Sequence, residues 1–298
     1  MRHAFTRLML CLLCLVMLCP TAFAEDAAPP AAGETVIAAA HPVPDYVERL
    51  LEMARHEIGY QEERGGQTKY GIWSGDPTAE WCAEFLCWSV DQTDKLYNTK
   101  LLNQVYPNYS GTNVGRNWFL KQGRYIARLG IVPGWGAQWY ANGAPVTPNS
   151  YIPQPGDWVF FSNNAAGDTN HVAMVEYCAY DEEGKIQVHV IEGNNPSAVA
   201  RKAYPIDHWA ILGYGTVHDL AGIVMRFGNE GEKVKALQGK LAAAGYLDPQ
   251  YTTGKYGALT TQAIQSLQKQ QGLEVTGVAN CDTQRRLDDL IAGQGQGN

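Results

Sequence analysis

In the first half of the chain, apolar positions recur every three to four residues, which is the spacing of one face of an α-helix. Three stretches carry this pattern: Pro44–Gly59, Ala79–Val90 and Asn113–Gly130. In the first stretch, Asp45 stands where an N-cap residue is expected and Gly59 where a helix stops. We therefore expect three helices in this part of the chain, each with one buried face.

From residue 157 the apolar spacing changes to alternation, which is typical of β-strands with one buried face. Clusters of Asn, Asp and Gly separate the alternating stretches and are suited to tight turns. Strands joined in series by short turns form an antiparallel sheet, so helices followed by this sheet predict an α+β fold. The predicted strands are Asp157–Ser162, His171–Tyr180, Lys185–Glu192 and Ala210–Val217.

A turn-rich segment with several aromatic residues, Trp135–Pro155, lies between the predicted helices and strands. A long loop beside a sheet is suited to form the wall of a substrate groove. Aromatic side chains in such a loop can equally pack inward and anchor it to the core. The sequence leaves both interpretations open.

The last part of the chain returns to helical spacing. Glu232–Ala244 is a predicted helix, Thr260 is the predicted cap of a second helix, and Asp282 opens a third. Three short helices with one apolar stripe each predict a small domain that is separate from the larger α+β domain. The predicted domains are residues 45–222 and 229–292, with a tail at 293–298.

The N-terminus has the features of a cleaved secretion signal. Basic residues precede an unbroken apolar run, Leu8–Cys19, and Ala22 and Ala24 form a small-residue cleavage site. The run is shorter than the ~20 residues of a membrane-spanning helix. We expect a signal peptide at residues 1–24, followed by a flexible leader rich in Ala and Pro at residues 25–44.

The charge of the chain limits its partners. With 23 basic and 30 acidic side chains, the formal net charge is −7. Residues 229–298 carry seven side chains of each sign, so the acidic excess belongs to the larger domain. A nucleic acid or an anionic membrane surface is therefore not expected as a charge-driven partner, because both attract cationic proteins.

Cysteine usage argues against a disulfide-held scaffold. Three of the seven cysteines lie in the predicted signal, which leaves Cys82, Cys87, Cys178 and Cys281. Four cysteines are few for a scaffold of this length. Cys82 and Cys87 cannot pair if one helix carries both, because five residues rise ~7.5 Å and a bridge needs Cα atoms within ~7 Å. The sequence leaves a single bridge among the other three open.

Cys82 has the setting of a catalytic nucleophile. It stands near the start of a predicted helix, where unpaired backbone amides favour a negatively charged thiolate. His171 begins a strand and can act as the base, and Glu192 at the end of the next strand can orient the imidazole. Asn194 follows two residues later, at the rim of the same site. Cys87, in mid-helix, is expected to be core packing.

These residues lie in motifs that resemble a CHAP domain, a cysteine- and histidine-dependent amidohydrolase or peptidase. The resemblance covers residues 45–217 and implies a papain-like fold related to that of NlpC/P60 proteins, with helices packed on an antiparallel sheet. The matching stretches are Trp81-Cys82-Ala83-x-Phe85, Pro155-Gly156-Asp157, His171-Val172-x-x-Val175 and Ile191-Glu192-Gly193-Asn194.

The resemblance implies roles for single residues. Cys82 becomes the nucleophile, His171 the base, Glu192 the residue that orients it, and Asn194 a supporting polar group. Asp157 is implied to be structural, because it opens the strand before the histidine.

The resemblance also bears on a metal site. Some phage CHAP domains bind calcium through acidic residues ahead of the cysteine. Here only Asp76 and Glu80 occur nearby, which is too few oxygen ligands to predict a metal site.

The C-terminal domain resembles the peptidoglycan-binding type 1 domain, which implies peptidoglycan as its partner. The sequence departs from the family pattern at Thr253, where an aspartate is common. A helical domain that binds a protein instead is the alternative, since a fold alone does not determine a function. The matching stretches are Val234–Leu247, Tyr256-Gly257-x-x-Thr260, Ile264-x-x-Leu267-Gln268 and Gly272–Gly277.

Together the two resemblances imply a secreted peptidoglycan hydrolase of the cell wall, which we expect to be a monomer without a cofactor. Cys82 would attack an amide in the peptide stem or cross-bridge. The sequence does not choose between an N-acetylmuramoyl-L-alanine amidase and an endopeptidase. Two alternatives stay open: a wall-binding protein with a silent hydrolase-like domain, and a secreted effector that acts on other cells.

Overall fold

The structure is a computed structural model that describes residues 32–133, 136–164 and 167–294. The predicted signal peptide lies outside the described residues, as does the leader before residue 32. Within the described ranges, no helix combines the length and the apolar character that crossing a membrane requires.

Four helices of the larger domain are described, and three of them lie in the three stretches that were predicted to be amphipathic helices. A left-handed Gly123 (φ 72°) ends the fourth helix earlier than the apolar spacing predicted, because glycine adopts this conformation without strain. The third helix instead runs well past Val90 and stops at a left-handed Asn98 (φ 53°). The helices are α1 Asp45–His56, α2 Lys69–Ser74, α3 Cys82–Tyr97 and α4 Thr112–Gln122.

The described strands form a seven-stranded antiparallel sheet and a separate two-stranded hairpin. Helices packed on an antiparallel sheet are the architecture that the sequence predicted; the papain-like relationship stays a prediction. The strands are β1 Thr35–Val36, β2 Tyr125–Ala127, β3 Ile131–Val132, β4 Gly136–Ala137, β5 Trp158–Phe161, β6 His171–Tyr180, β7 Ile186–Glu192, β8 Ala200–Pro205 and β9 Ile211–Gly215. The sheet order is β2-β9-β5-β6-β7-β8, with β1 added to β6, and β3 pairs with β4.

The sheet separates two hydrophobic cores. Val172 and Met174 of β6 pack with α1 and α3 on one face, whereas Ala173 and Val175 pack with β7, β9 and the loop before β5 on the other. Because β6 begins where β5 ends and runs antiparallel to β7, the first residue of β6 and the last of β7 meet at one end of the sheet. This end is where α3 begins.

The helix predicted over Asn113–Gly130 is wrong in its last part, where Tyr125–Ala127 is strand β2. The short strands β1, β3 and β4 were not predicted, and neither were helix α2 and strand β8. Gly71 in the middle of the short helix α2 weakens its helical signal. Strand β8 is a mostly exposed edge strand that carries Arg201 and Lys202 and ends at Pro205, so it lacks the apolar alternation of a half-buried strand. The pairing of β8 with β7 nevertheless brings Tyr204 towards the candidate site.

The described part of the aromatic loop packs inward. Trp139 is 7% exposed and Tyr151 8% exposed. Trp139 packs against Val224, which follows the last strand. These contacts make the two aromatic residues anchors of the loop; Trp135 lies outside the described residues.

Asp157 is a fully buried carboxyl directly before β5. Its Oδ2 accepts hydrogen bonds from Tyr151 Oη (2.6 Å) and from the Gln154 N–H (2.9 Å). Burial raises the pKa of Asp157 to about 7, although these hydrogen bonds act in the opposite direction. The contacts give Asp157 a structural role in the turn that opens β5.

Replacing Asp157 with asparagine is expected to make the stability of the larger domain less dependent on pH. A carboxyl whose pKa rises on folding stabilises the fold below its unfolded pKa of about 3.9. That contribution is lost as the pH rises through about 7. Between pH 4 and pH 8 the variant should therefore gain on the order of 2–4 kcal/mol relative to the wild type. Urea unfolding at both pH values measures this, and an equal difference at both would contradict it.

The C-terminal domain has three described α-helices around one core, which includes Leu237, Ile264 and Leu287. The prediction that Thr260 caps the second of these helices is wrong, because that helix begins at Ala258. The Thr260 hydroxyl instead accepts a hydrogen bond from Gln238 Nε2 (2.8 Å). The helices are α5 Glu232–Ala243, α6 Ala258–Gln270 and α7 Cys281–Gln294.

The segment between the domains contacts both of them. Gln284 Nε2 on α7 donates to the carbonyl of Ile223 (2.9 Å), and the Arg285 guanidinium donates to the carbonyl of Gly143. Because β9 ends at Gly215, the chain leaves the sheet at the end opposite His171. The segment that leads to the C-terminal domain therefore begins at the end of the sheet away from the candidate site.

Candidate active site

Cys82 is the first residue of α3, and Trp81 is the residue that caps the helix. The first helical hydrogen bond runs from the Phe85 N–H to the Trp81 carbonyl (2.9 Å). The N–H groups of Cys82 and of the two residues after it therefore have no partner within the helix. Such amides, with the positive end of the helix dipole, favour negative charge on the sulfur or on an oxygen bound beside it.

The segment that carries the nucleophile is held on several sides. Trp81 Nε1 donates to Glu62 Oε2 (3.0 Å), and the Trp81 ring stacks on Tyr70 at 5.3 Å between centroids. A Cβ atom at Gly193 would lie 2.7 Å from the Trp81 ring, so a glycine is needed there. The residue after β7 therefore packs directly against the segment that positions the thiol.

His171, the first residue of β6, is brought together with both Cys82 and Glu192. Its Nε2 lies 2.9 Å from Glu192 Oε2. The ring also interacts with the Cys82 side chain. Because Glu192 engages Nε2, Nδ1 is the ring nitrogen that remains available to the sulfur. Burial lowers the pKa of His171, but the hydrogen bonds to Cys82 and Glu192 outweigh burial and raise it to about 9. A protonated imidazole beside the sulfur is therefore favoured at neutral pH.

Glu192 is fully buried at the end of β7, and donors surround its carboxylate. Besides His171, Asn195 Nδ2 donates to Oε1 (2.6 Å). The Tyr204 hydroxyl lies 3.1 Å from Oε1 and 3.2 Å from Oε2. These contacts offset the cost of burying a charged carboxylate, which is high when donors are missing.

Asn194 lies at the rim, but its side chain points to a different partner. Its Nδ2 donates to Glu80 Oε2 (2.6 Å), and its backbone is left-handed (φ 58°). Glu80 stands two residues before Cys82, so Asn194 links the end of β7 to the segment that carries the nucleophile. A supporting role of Asn194 in catalysis stays a prediction.

Sequence reasoning missed Asn195 and Tyr204. A local signal existed for Asn195, because an amide directly after Glu192-Gly193-Asn194 stands at the same strand end. No local pattern marks Tyr204, since its contact with Glu192 depends on the pairing of β7 with β8. Phe161 was also missed; its ring lies 5.6 Å from that of His171.

Cys87 and Cys178 are free thiols in the cores, as is typical of buried cysteine. Their sulfur atoms donate to the carbonyls of Pro107 (3.3 Å) and Pro153 (3.2 Å). Burial raises the pKa of Cys87 to about 12 and also raises that of Cys178. Neither forms a disulfide, and the side chain of Cys281 lies outside what is described. Of the three described thiols, Cys82 is the one that interacts with a histidine.

Acidic side chains surround the start of α3. Glu84 is 1% exposed; burial raises its pKa, and the negative charges of Asp76 and Glu80 add to this. Interactions with its own backbone and with Ser110 lower the pKa of Glu84 in part. In residues 32–133, 136–164 and 167–294, no three His, Cys, Asp or Glu side chains are grouped to hold a metal ion.

Two family models match the chain. The CHAP domain model matches residues 73–194, a range that contains Cys82, His171, Glu192 and Asn194. The model described as a peptidoglycan binding domain matches residues 230–287, which include α5 and α6.

Two curated relatives from Bacillus licheniformis share a part of the chain. One is named "Probable N-acetylmuramoyl-L-alanine amidase" and is 40% identical over 68 residues, 22% of this chain and 19% of that relative. The other, N-acetylmuramoyl-L-alanine amidase CwlL, is 40% identical over 67 residues with the same shares. The chain thus spans about a fifth of the length of the curated relatives it matches.

Two solved structures also match. One is a peptidoglycan-binding protein from Clostridioides difficile in complex with glutamine hydroxamate (23% identity, 47% of this chain, 75% of that chain, TM-score 0.21). The other is a periplasmic domain of the EpsAB fusion protein of the Vibrio vulnificus type II secretion system (19% identity, 46% of this chain, 57% of that chain, TM-score 0.20). At these TM-scores neither adds to the description of the fold. From the two family matches, the chain carries a CHAP domain at residues 73–194 and a peptidoglycan-binding domain at residues 230–287.

Proposed function

We propose that the protein is a peptidoglycan hydrolase that cleaves an amide bond by a cysteine mechanism. One observation carries the proposal: a thiol at the start of a helix interacts with a histidine that a buried glutamate holds by its other ring nitrogen. The domain matches support peptidoglycan as the substrate, because a wall-binding domain and a CHAP domain occur in one chain.

The chemistry proceeds in two halves. His171 takes the proton of the Cys82 thiol, and the sulfur attacks the carbonyl carbon of the amide. The free N–H groups at the start of α3 stabilise the oxyanion of the tetrahedral intermediate. His171 then gives its proton to the nitrogen, the C–N bond breaks, and the amine leaves. A thioester on Cys82 remains.

Water completes the reaction. His171 takes a proton from the water molecule as its oxygen attacks the thioester carbon. The C–S bond then breaks, and His171 returns the proton to the sulfur. Glu192 keeps Nδ1 of His171 directed at the sulfur, because it holds the opposite nitrogen at 2.9 Å. The products are a carboxylic acid and an amine, and the enzyme returns to its starting state.

Two amides fit this chemistry. An N-acetylmuramoyl-L-alanine amidase cuts between the sugar-linked lactyl group and the peptide, whereas an endopeptidase cuts within the peptides. The names of the two curated relatives favour the bond that an amidase cuts as the first one to test. We propose secretion and association with the cell wall, from the N-terminal signal pattern and the peptidoglycan-binding domain.

Mass spectrometry of the fragments released from purified peptidoglycan tests the function and identifies the bond. Walls that contain diaminopimelate and walls that contain lysine should both be offered, with the Cys82→Ala variant as the negative control. An amidase should release stem peptides with a free alanine N-terminus and leave intact glycan strands. New peptide termini within the stem or cross-bridge would indicate an endopeptidase. The absence of any fragment above the control would overturn the proposal.

A further inference from the structure

The buried carboxylate of Glu192 is held by more than the histidine that it orients. Oε1 accepts from Asn195 Nδ2 at 2.6 Å, and the Tyr204 hydroxyl lies within 3.2 Å of both oxygens. Asn195 Nδ2 is also 3.3 Å from the Tyr204 oxygen. The three side chains form one hydrogen-bonded group behind His171.

We propose that Tyr204, together with Asn195, is a positioning residue for the His171–Glu192 pair. The inference rests on the proposed hydrolase function and extends its machinery to the edge strand β8. In the described structure both side chains bond to Glu192 and neither bonds to the thiol, so both act through Glu192.

The geometry explains why Glu192 needs additional donors. A carboxylate turns about its last side-chain bond, and that torsion has broad preferences. Two donors on Oε1 fix the plane of the group, so that Oε2 stays directed at His171 Nε2. Hydrogen bonds to a charged acceptor are also the strong ones, which makes this orientation well defined.

The ring and the hydroxyl of Tyr204 have separable roles. The ring packs between Phe161 (4.9 Å between centroids) and His208 (5.3 Å). A phenylalanine keeps these contacts and loses only the hydroxyl. The substitution Tyr204→Phe therefore removes the hydrogen bonds to Glu192 and leaves the packing of β8 in place.

The titratable groups that face this part of the site come from several elements. Cys82 lies on α3, His171 on β6, Glu192 on β7 and Tyr204 on β8, and the ring of His208, which follows β8, packs on Tyr204. Burial raises the pKa of Tyr204, and the charge of Glu192 and the donated hydrogen bond raise it further. Tyr204 hence stays a donor across the pH range in which His171 titrates.

The test compares Tyr204→Phe with Tyr214→Phe. Tyr214 is a buried tyrosine on β9, on the same face of the sheet as Tyr204. Its hydroxyl has no hydrogen-bond partner in the described structure. The initial rate of fragment release is measured against the concentration of purified peptidoglycan, at a series of pH values. Thermal unfolding of both variants shows whether each is folded.

Tyr204→Phe should lower the limiting rate about tenfold, the size of one lost charge-assisted hydrogen bond, with little change in the half-saturating wall concentration. The pH above which the rate of the variant falls should also be lower than for the wild type. The reason is that a Glu192 side chain free to turn raises the pKa of His171 less than one held in place. Tyr214→Phe should change neither quantity. A Tyr204→Phe rate within twofold of wild type, or a lower rate that falls above an unchanged or higher pH, would overturn the positioning role.

A double variant separates this inference from the proposed function. In the Glu192→Gln background, adding Tyr204→Phe should cost no more than about twofold, because residues that act as a unit are not additive. A full tenfold additional loss would overturn the inference. Failure of the proposed function looks different: Cys82→Ala would then keep the activity of the wild type.

Discussion

Replacing His171 with alanine is expected to lower the initial rate of wall hydrolysis about 10³-fold. General acid–base catalysis contributes ~10²–10⁴-fold. His171 takes the proton of the thiol, gives a proton to the leaving amine and then takes a proton from the water molecule. Its side chain is 19% exposed and lies at a strand end, so the variant should fold. Release of soluble fragments from purified peptidoglycan measures the rate.

The chain offers a matched control for this variant. His189 is a second histidine with a glutamate partner, Glu34, at 3.1 Å, and its side chain is 15% exposed. Replacing His189 with alanine should leave the rate within about twofold of wild type, since it lies outside the candidate site. A His171→Ala protein that also stays within tenfold of wild type would exclude His171 as the base.

In the wild-type pH–rate profile, the fall of the rate at alkaline pH should reflect the titration of His171. Because the pKa of His171 is raised to about 9, the protonated ring that serves the leaving amine is present at neutral pH. It is lost as the pH rises through that value. The rate should therefore hold through neutral pH and fall above about 9. A rate that already falls between pH 6 and 7 would contradict this assignment.

Glu192→Gln is expected to lower the rate about 10²-fold. The amide keeps the shape of the side chain but loses the charge that favours a protonated His171. Its NH₂ group also cannot accept from Nε2 if it takes the place of Oε2. The alkaline limb should move to lower pH, because the glutamate no longer raises the pKa of His171.

Glu34→Gln is the matched control for Glu192→Gln, because it changes the same group in the other histidine–glutamate pair. Glu34→Gln should leave both the rate and the alkaline limb unchanged. If Glu192→Gln behaved in the same way, the carboxylate would have no part in holding His171. Circular dichroism of each variant confirms that the comparison is made between folded proteins.

Cys82, His171 and Glu192 were predictable from the sequence because each stands at the end of a strongly patterned element. The apolar period placed the cysteine at a helix start and the other two at strand ends. Antiparallel pairing of β6 with β7 then brings those strand ends together. Here local pattern and tertiary structure agree.

Tyr204 could not be found in this way. Strand β8 is an edge strand with polar residues, so its signal is weak, and its existence depends on pairing with β7. Asn194 shows the same limit: its place beside the site was predicted, but its amide bonds to Glu80 rather than to the His171–Glu192 pair. Contacts between side chains of distant segments are set by packing, which periodicity does not report.

The aromatic loop shows a further limit. Its sequence suited both a groove wall and an anchor, and the burial of Trp139 and Tyr151 favours the anchor. The C-terminal helices were predictable from their apolar stripes. The contacts that attach them to the segment after β9 were not, because these are single hydrogen bonds such as that of Gln284 with Ile223.

The central claim is that the Cys82 thiol carries out the cleavage. The most direct measurement is fragment release from purified peptidoglycan by Cys82→Ala beside Cys178→Ala, which removes a free thiol buried in the core. We expect no release above background for Cys82→Ala, and release close to wild type for Cys178→Ala when both proteins are folded. Release by folded Cys82→Ala at the wild-type rate would contradict the central claim.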